Sequence, residues 1–119
     1  MTHPNGTRWE SKIVEIAESK GFKAIRLAKM GFKDVGDVLL ISPDGDHYII
    51  EAKWRERLNV HETLGTQVQK VAKADLPWLI RHGAVWWKRS RRKPGNESRS
   101  PAGPPVVCLT IDDYLDLLL

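Results

Sequence analysis

Several features of common protein classes are missing from this 119-residue chain. A single cysteine, Cys108, excludes an internal disulfide framework and a zinc site made of several cysteines. No apolar run approaches the roughly 20 residues that cross a membrane, and the first ten residues lack the apolar segment of a signal peptide. We therefore expect a single cytoplasmic domain over residues 1–119 with no membrane partner.

Positive charge is present in excess and is concentrated toward the end of the chain. Nineteen Lys and Arg against 15 Asp and Glu give a net charge of +4. Two tryptophans are followed at once by five basic residues within six positions: Lys88, Arg89, Arg91, Arg92 and Lys93. They begin a stretch rich in Pro, Gly, Ser and Arg, which predicts a flexible basic loop at about 89–104. Such a run is usually a solvated tip, but on a nucleic-acid-binding protein it would contact backbone phosphates.

The pattern of apolar residues predicts an α/β protein with the element order α-β-β-β-α-β-β-α. Short apolar runs bounded by turn residues predict strands, here at 22–30, 37–41, 47–54, 84–90 and 106–111. Apolar residues that recur every three or four positions predict helices, here at 7–21, 59–76 and 110–119. Pro77 either interrupts the second helix or begins a short extra helix that ends at Gly83. The order indicates a mixed sheet flanked by helices.

The segment from Gly36 to Trp54 predicts an antiparallel hairpin with charges at one end. The turn residues SPDGD separate two apolar strands. If the turn centres on Asp44, Asp37 stands directly opposite Glu51. Because side chains alternate between faces along a strand, Glu51 and Lys53 then share one face. Asp34 is the alternative to Asp37, since it lies in the same turn before the strand.

Two carboxylates and an ammonium at one end of a hairpin are suited to phosphodiester chemistry. Carboxylates on paired strands lie about 5 Å apart, which allows them to share a divalent cation. Ligation by oxygen alone suits Mg²⁺ or Mn²⁺, and a neighbouring lysine can stabilise charge on a phosphate in the transition state. An acid-x-Lys at a strand end is, however, most often a surface ion pair.

At this point the sequence resembles a known family. Gly36-Asp37, thirteen further residues and then Glu51-Ala52-Lys53 are similar to the PD-(D/E)XK nuclease signature, with glycine in the place of the usual proline. The stretch RWESKIVEIAESKGFKAIRLAKMG is similar to the opening of the archaeal-type Holliday junction resolvases. The resemblance covers residues 7–75. It implies a restriction-endonuclease-like mixed β-sheet flanked by helices, in a bacterial, archaeal or phage-infected cell.

The resemblance also implies roles for individual residues. Asp37, Glu51 and the backbone carbonyl of Ala52 would bind Mg²⁺, with Mn²⁺ as a possible substitute. Lys53 would position or activate the attacking water. Glu10 on the first helix would complete the metal site. A capping box explains Glu10 equally simply, because Thr7 is a good N-cap and a glutamate three positions later can bond back to its amide.

Two further residues and a partner follow from the same resemblance. Gln67 matches a polar position near the site of some members of the superfamily, and Arg26 matches a basic position on the first strand that would contact DNA. The implied protein is a Mg²⁺-dependent endonuclease, with a four-way DNA junction as the favoured substrate and a homodimer as the active form. The alternatives are a nuclease for flaps, ends or specific sites, and a catalytically idle DNA-binding module.

Overall fold

The computed structural model describes residues 4–89 and 103–119 and contains three helices and one five-stranded sheet. The elements follow the predicted order. The helices are α1 (Pro4–Ser19), α2 (Val60–Lys73) and α3 (Ile111–Leu118). The strands are β1 (Lys23–Arg26), β2 (Val38–Ile41), β3 (His47–Trp54), β4 (Arg81–Lys88) and β5 (Val106–Cys108). No helix within the described ranges is long and apolar enough to cross a membrane.

The strands lie side by side in chain order, β1-β2-β3-β4-β5. The β3–β4 pair is parallel, and the other three pairs are antiparallel. A parallel pair needs a crossover, which α2 supplies between β3 and β4. The predicted α/β architecture with a mixed sheet and flanking helices is therefore confirmed. Its identity as a restriction-endonuclease-like fold stays a prediction.

Each face of the sheet carries its own hydrophobic cluster because neighbouring residues of a strand point to opposite faces. On one face Val38 and Ile50 pack with Trp9 and Ile13 of α1. On the other, Leu39 and Ile49 pack with a group that includes Val71 of α2. Helix α1 thus covers one face and α2 the other, and β2 and β3 are buried between them.

The N-terminal boundary of α1 differs from the predicted one. The helix begins at Pro4, so Thr7 lies within it and is not its N-cap. Proline is well suited to the first turn of a helix, where its missing N–H has no intrahelical acceptor. The capping box predicted for Thr7 and Glu10 is therefore wrong, and Glu10 lies near the middle of the helix instead of at its start. The predicted N-cap of α3 is confirmed, because the Thr110 hydroxyl accepts a hydrogen bond from the Asp113 amide at 3.2 Å.

Of the two alternatives for Pro77, the short extra helix is wrong, and α2 ends at Lys73. Residues 74–80 form an irregular connection, and β4 begins at Arg81, so Gly83 lies inside a strand. The Arg81 guanidinium donates to the carbonyls of Val71 and Ala74 at 2.9 and 2.7 Å and so satisfies the end of α2. Leu79 is almost fully exposed, which shows why its apolar character was misleading.

Strand β5 and helix α3 carry several exposed apolar side chains. Val106, Val107, Tyr114 and Leu118 are each about half exposed or more. A hydrogen bond between His82 Nδ1 and Asp113 Oδ1, 2.9 Å long, joins α3 to β4. The loop predicted at 89–104 lies almost entirely outside the described residues.

Candidate active site

The predicted hairpin register is confirmed. Leu39 pairs with Ile49 and Ile41 with His47, as a turn centred on Asp44 requires. Strand β2 starts one residue after Asp37, whose backbone amide donates to the Ile50 carbonyl at 2.9 Å.

The Asp37 carboxylate lies at the end of the β2–β3 pairing. Its Oδ2 accepts a hydrogen bond from the Ala52 amide at 2.8 Å, so it takes the place of a strand carbonyl beyond the end of the ladder. The structure therefore brings Asp37 to the end of β3. Asp34, the alternative, is an exposed residue of the preceding 3₁₀ turn.

Asp37 and Glu51 form a carboxylate pair. Burial, and next the charge of Glu51, raise the pKa of Asp37 from 3.8 to about 6. The Ala52 hydrogen bond opposes this shift, and the charge of Glu10 adds to it. The two carboxyl groups are close enough to share a hydrogen bond when one is protonated. The two carboxylates are thus close enough for the charge of one to disfavour ionisation of the other.

Glu51 is also contacted by two lysines. Lys53, two residues along the same strand, places its Nζ 3.6 Å from Oε1, and Lys70 on α2 places its Nζ 3.4 Å from Oε2. The Lys53 contact was predicted from strand alternation, and the Lys70 contact was not. Lys70 could have been found from its position three residues after Gln67, because residues i and i+3 share a helix face.

Glu10 and Arg26 form an ion pair at the edge of the same region. The Glu10 side chain is almost fully buried, and its Oε1 lies 3.5 Å from Arg26 Nη2. Arg26 therefore contacts an acid of the site, and its side chain is only 21% exposed. Its Nε is buried with no hydrogen-bond partner among the described residues. A role for Arg26 in DNA binding stays a prediction.

Gln67 is buried and connects α2 to the hairpin. Its Nε2 donates to the carbonyls of Val35 and Ile49, both at 3.0 Å. Its Oε1 is buried and has no partner within residues 4–89 and 103–119. Gly36 makes this arrangement possible, because a Cβ at that position would stand 2.7 Å from the Ile49 side chain and 3.1 Å from Gln67 Nε2. Gly36 thus provides the space that Gln67 occupies.

A cleft of about 210 Å³ opens between β3 and α2. Its lining is mostly polar and consists of Glu51, Lys53, Glu62, Thr63, Thr66, Gln67 and Lys70. Two acids, two ammonium groups and two hydroxyls therefore face a space large enough for several water molecules, each of which occupies about 30 Å³. Asp37 reaches this cleft only through its contact with Glu51.

The basic residues divide into those that are described and those that are not. Lys88 Nζ lies 4.5 Å from the centre of the Trp54 ring, a cation–π contact. Arg89 donates from Nε to the Glu56 carbonyl at 3.1 Å. Arg91, Arg92 and Lys93 lie outside the described residues. Lys88 and Arg89 are thus engaged with the protein itself, and their contact with DNA stays a prediction.

The other residues that could bind a metal lie elsewhere. His47 stacks on Trp78, with ring centroids 5.1 Å apart, at the far end of β3. His61 is exposed on the first turn of α2. Within the described parts of the chain, no group of three or more His, Cys, Asp or Glu residues is arranged to hold a metal ion.

The acid pair nevertheless fits a hard divalent cation. Its ligands are carboxylate oxygens, which Mg²⁺ prefers. Burial and the charge of Glu51 disfavour the ionised form of Asp37, and a bound cation would favour it. Asp37, Glu51 and the Ala52 carbonyl would therefore hold the ion, and Glu10 would join them only by leaving Arg26.

Models of known protein families give no match to the chain, and no curated protein sequence matches it.

Proposed function

We propose that the protein is a metal-dependent endonuclease that hydrolyses phosphodiester bonds in DNA, with four-way junctions as the favoured substrate. The observation that carries the proposal is the contact between Asp37 and Glu51 at the end of the hairpin, with Lys53 beside them. Two carboxylates in contact destabilise the protein unless a cation joins them. A structural ion pair would need only one of the two acids.

Each residue of the pair has a part in this activity. Asp37 and Glu51 would hold Mg²⁺ or Mn²⁺ together with the Ala52 carbonyl. When bound, the ion supplies Lewis acidity toward water and phosphate oxygens. The Ala52 amide orients the Asp37 carboxylate through its 2.8 Å hydrogen bond, so the ligand is held in place before the ion arrives.

Lys53 supplies a positive charge next to the reacting groups. Its side chain is 23% exposed and lines the cleft, and its ammonium lies 3.6 Å from Glu51. It can donate a hydrogen bond to the attacking water or to the phosphate as negative charge develops on the oxygens. Glu10, which is paired with Arg26, adds its negative charge to the field at Asp37.

Cleavage of a junction on two strands calls for a two-fold dimer with two sites. The exposed apolar residues of β5 and α3 are consistent with such an assembly, because an apolar surface of this kind is rarely left in contact with water. A dimer in solution, measured by light scattering, would support this part of the proposal. A monomer would favour the alternative nuclease that acts on flaps, ends or specific sites.

The second candidate is a catalytically idle DNA-binding module on the same fold. Two observations favour it: Glu51 already has two lysine partners, and the described residues contain no preformed metal cluster of three acids. Such a module would bind DNA in the presence of Mg²⁺ without cutting it.

Cleavage of a labelled four-way junction, with duplex and single strand as controls, tests the proposal. We expect Glu51→Gln and Lys53→Ala to reduce Mg²⁺-dependent cutting at least about a hundredfold, because each removes a group that acts on the reacting phosphate or water. Junction binding should stay within about tenfold of the wild type, a change of about 1.4 kcal/mol.

The matched controls are Glu18→Gln and Lys20→Ala, which make the same charge changes at exposed positions and should cut at the wild-type rate. Loss of folding in both site variants would make the pair structural. Equal cutting of junction and duplex would contradict junction preference. Absence of cutting on every DNA form, with binding intact, would favour the idle module.

A further inference from the structure

Lys70 has a partner that it can exchange. Its ion pair with Glu51 is 3.4 Å long, and its side chain is 41% exposed at the open side of the cleft. Half-exposed ion pairs contribute little to stability. Lys53, by contrast, is 23% exposed, and it lies on the same strand as Glu51. Of the two ammonium groups, Lys70 is therefore the one that can leave Glu51 at little cost.

The wall of the cleft formed by α2 carries hydrogen-bond donors in a row. Thr63, Thr66 and Lys70 follow one another at intervals of three and four residues, which places them along one face of the helix. Two hydroxyls and an ammonium at this spacing are donors that suit a tetrahedral oxyanion. Buried Gln67 lies on the same face and fixes α2 to the hairpin, so this wall is rigid.

The charge of the cleft depends on the state of Glu51. As the protein stands, Glu51 and Glu62 balance Lys53 and Lys70. Glu62 is exposed and accepts hydrogen bonds at the start of α2, from the Asn59 side chain at 3.2 Å. Once another cation compensates Glu51, the two lysines outweigh Glu62, and the cleft becomes attractive to an anion.

We propose that the cleft between β3 and α2 is a binding subsite for a backbone phosphate of DNA, held by Lys70 with the hydroxyls of Thr63 and Thr66. Lys70 is bound to Glu51 in the free protein and turns to the phosphate when Glu51 engages a divalent cation. The subsite rests on the proposed nuclease function, because it gives the position of a phosphate next to the acid pair. Lys70 is a binding residue here and takes no part in bond cleavage.

The expected signature of Lys70→Met is a pair of changes with opposite sign. Binding of a fluorescent four-way junction in Ca²⁺, measured by anisotropy, should weaken about tenfold, since a charged hydrogen bond is lost. The slope of log K against log salt should become shallower by about 0.9, the value for one phosphate contact. Binding of Mn²⁺ to the DNA-free protein, followed by electron paramagnetic resonance, should become tighter by a few fold, because Lys70 no longer competes for Glu51.

Two further variants isolate the cause. Lys70→Arg keeps the charge and should retain the wild-type salt slope. Lys12→Met makes the same charge change on α1, at a side chain that is 56% exposed and paired with Glu15, and it should alter neither measurement. A slope for Lys70→Met equal to that for Lys12→Met would overturn the subsite.

The outcomes also separate this inference from the proposed function. If the wild type cuts DNA and Lys70→Met behaves like Lys12→Met, the nuclease proposal stands and the subsite does not. If the wild type cuts no DNA but the salt slope depends on Lys70, the subsite stands as a binding site and the nuclease proposal falls. A wild type that binds no DNA in Ca²⁺ would overturn both.

Discussion

At the start of strand β3, the side chains stack on complementary neighbours. The His47 ring lies on Trp78 with centroids 5.1 Å apart, and the Tyr48 ring lies on His82 at 4.9 Å. His82 is in turn paired with Asp113 at 2.9 Å. Each of these groups has a neighbour that its chemistry favours, so this end of the strand stabilises the fold without any ligand.

Four residues further along the same strand, at Glu51, the neighbouring side chains carry charges that oppose each other. Glu51 lies near Asp37, whose pKa is raised to about 6 by burial and by the charge of Glu51. Lys53 and Lys70 contact Glu51 and leave Asp37 without a lysine contact among the described residues. One strand thus carries an end whose contacts stabilise the fold and an end where two carboxylates disfavour each other's ionisation. Sites of function are often places where stability is given up in this way.

The largest expected effect concerns the stabilising end. Trp78→Ala removes the stack on His47 and the edge contact with Phe32, whose ring centroid lies 5.8 Å away. We expect a loss of about 3 kcal/mol in the free energy of unfolding, measured by urea denaturation. A loss below about 0.5 kcal/mol would show that the stacked rings at the start of β3 add little to the free energy of unfolding. The two ends of the strand would then not differ in stability as argued.

An intermediate effect of opposite sign is expected at the other end. The pKa of Asp37 is raised on folding, so its contribution to stability is fully present below pH 3.8 and is lost as the pH rises through about 6. Asp37→Asn should therefore stabilise the metal-free protein by about 1–2 kcal/mol at pH 7.5, after allowance for the group's partial exposure.

The same variant should gain little at pH 4, where the wild-type carboxyl is mostly protonated. Urea denaturation at the two pH values, in the presence of a chelator, measures the difference. Asp34→Asn removes an exposed carboxylate from the preceding turn and is the matched control. An equal gain for Asp37→Asn at both pH values would contradict a charge effect.

The smallest expected effect is the stabilisation of the acid end of β3 by a bound cation. Mn²⁺ at a few times its dissociation constant should stabilise the wild type by about 0.8 kcal/mol at pH 7.5 and leave Asp37→Asn unchanged. The stabilisation should fade below pH 6, because protons and the cation compete for Asp37. Thermal melts across this pH range test it, and an equal shift in Asp37→Asn would place the cation elsewhere.

The hairpin end of the site could be predicted from sequence because its geometry is local. The SPDGD turn and the strand period of two determine that Asp37 lies next to Glu51, and the structure has this register. The bounds of β3 were predicted correctly for the same reason. A short turn leaves few ways to pair two strands, so the pattern of residues is enough.

The contacts supplied by other elements could not be predicted in this way. Lys70 reaches Glu51 only because α2 crosses over β3, and Glu10 reaches Arg26 only because α1 lies on β1. The start of β4 was missed because Trp78, Leu79 and Ile80 form an apolar run that resembles a helix, although Leu79 is exposed. These contacts and the start of β4 depend on how the helices pack on the sheet, which the periodicity of the sequence does not specify.

In the folded protein Gln67 packs against two glycines, Gly36 and Gly83. This close packing restricts how the sequence can change. A Cβ at Gly36 would stand 3.1 Å from its Nε2, and a Cβ at Gly83 would stand 3.1 Å from its backbone oxygen and 3.0 Å from Val68 Cα. Any side chain at either glycine requires a compensating change in its neighbours. In related sequences, positions 36, 67 and 83 should therefore vary together, and a larger residue at position 36 should occur only alongside a smaller residue at position 49 or 67.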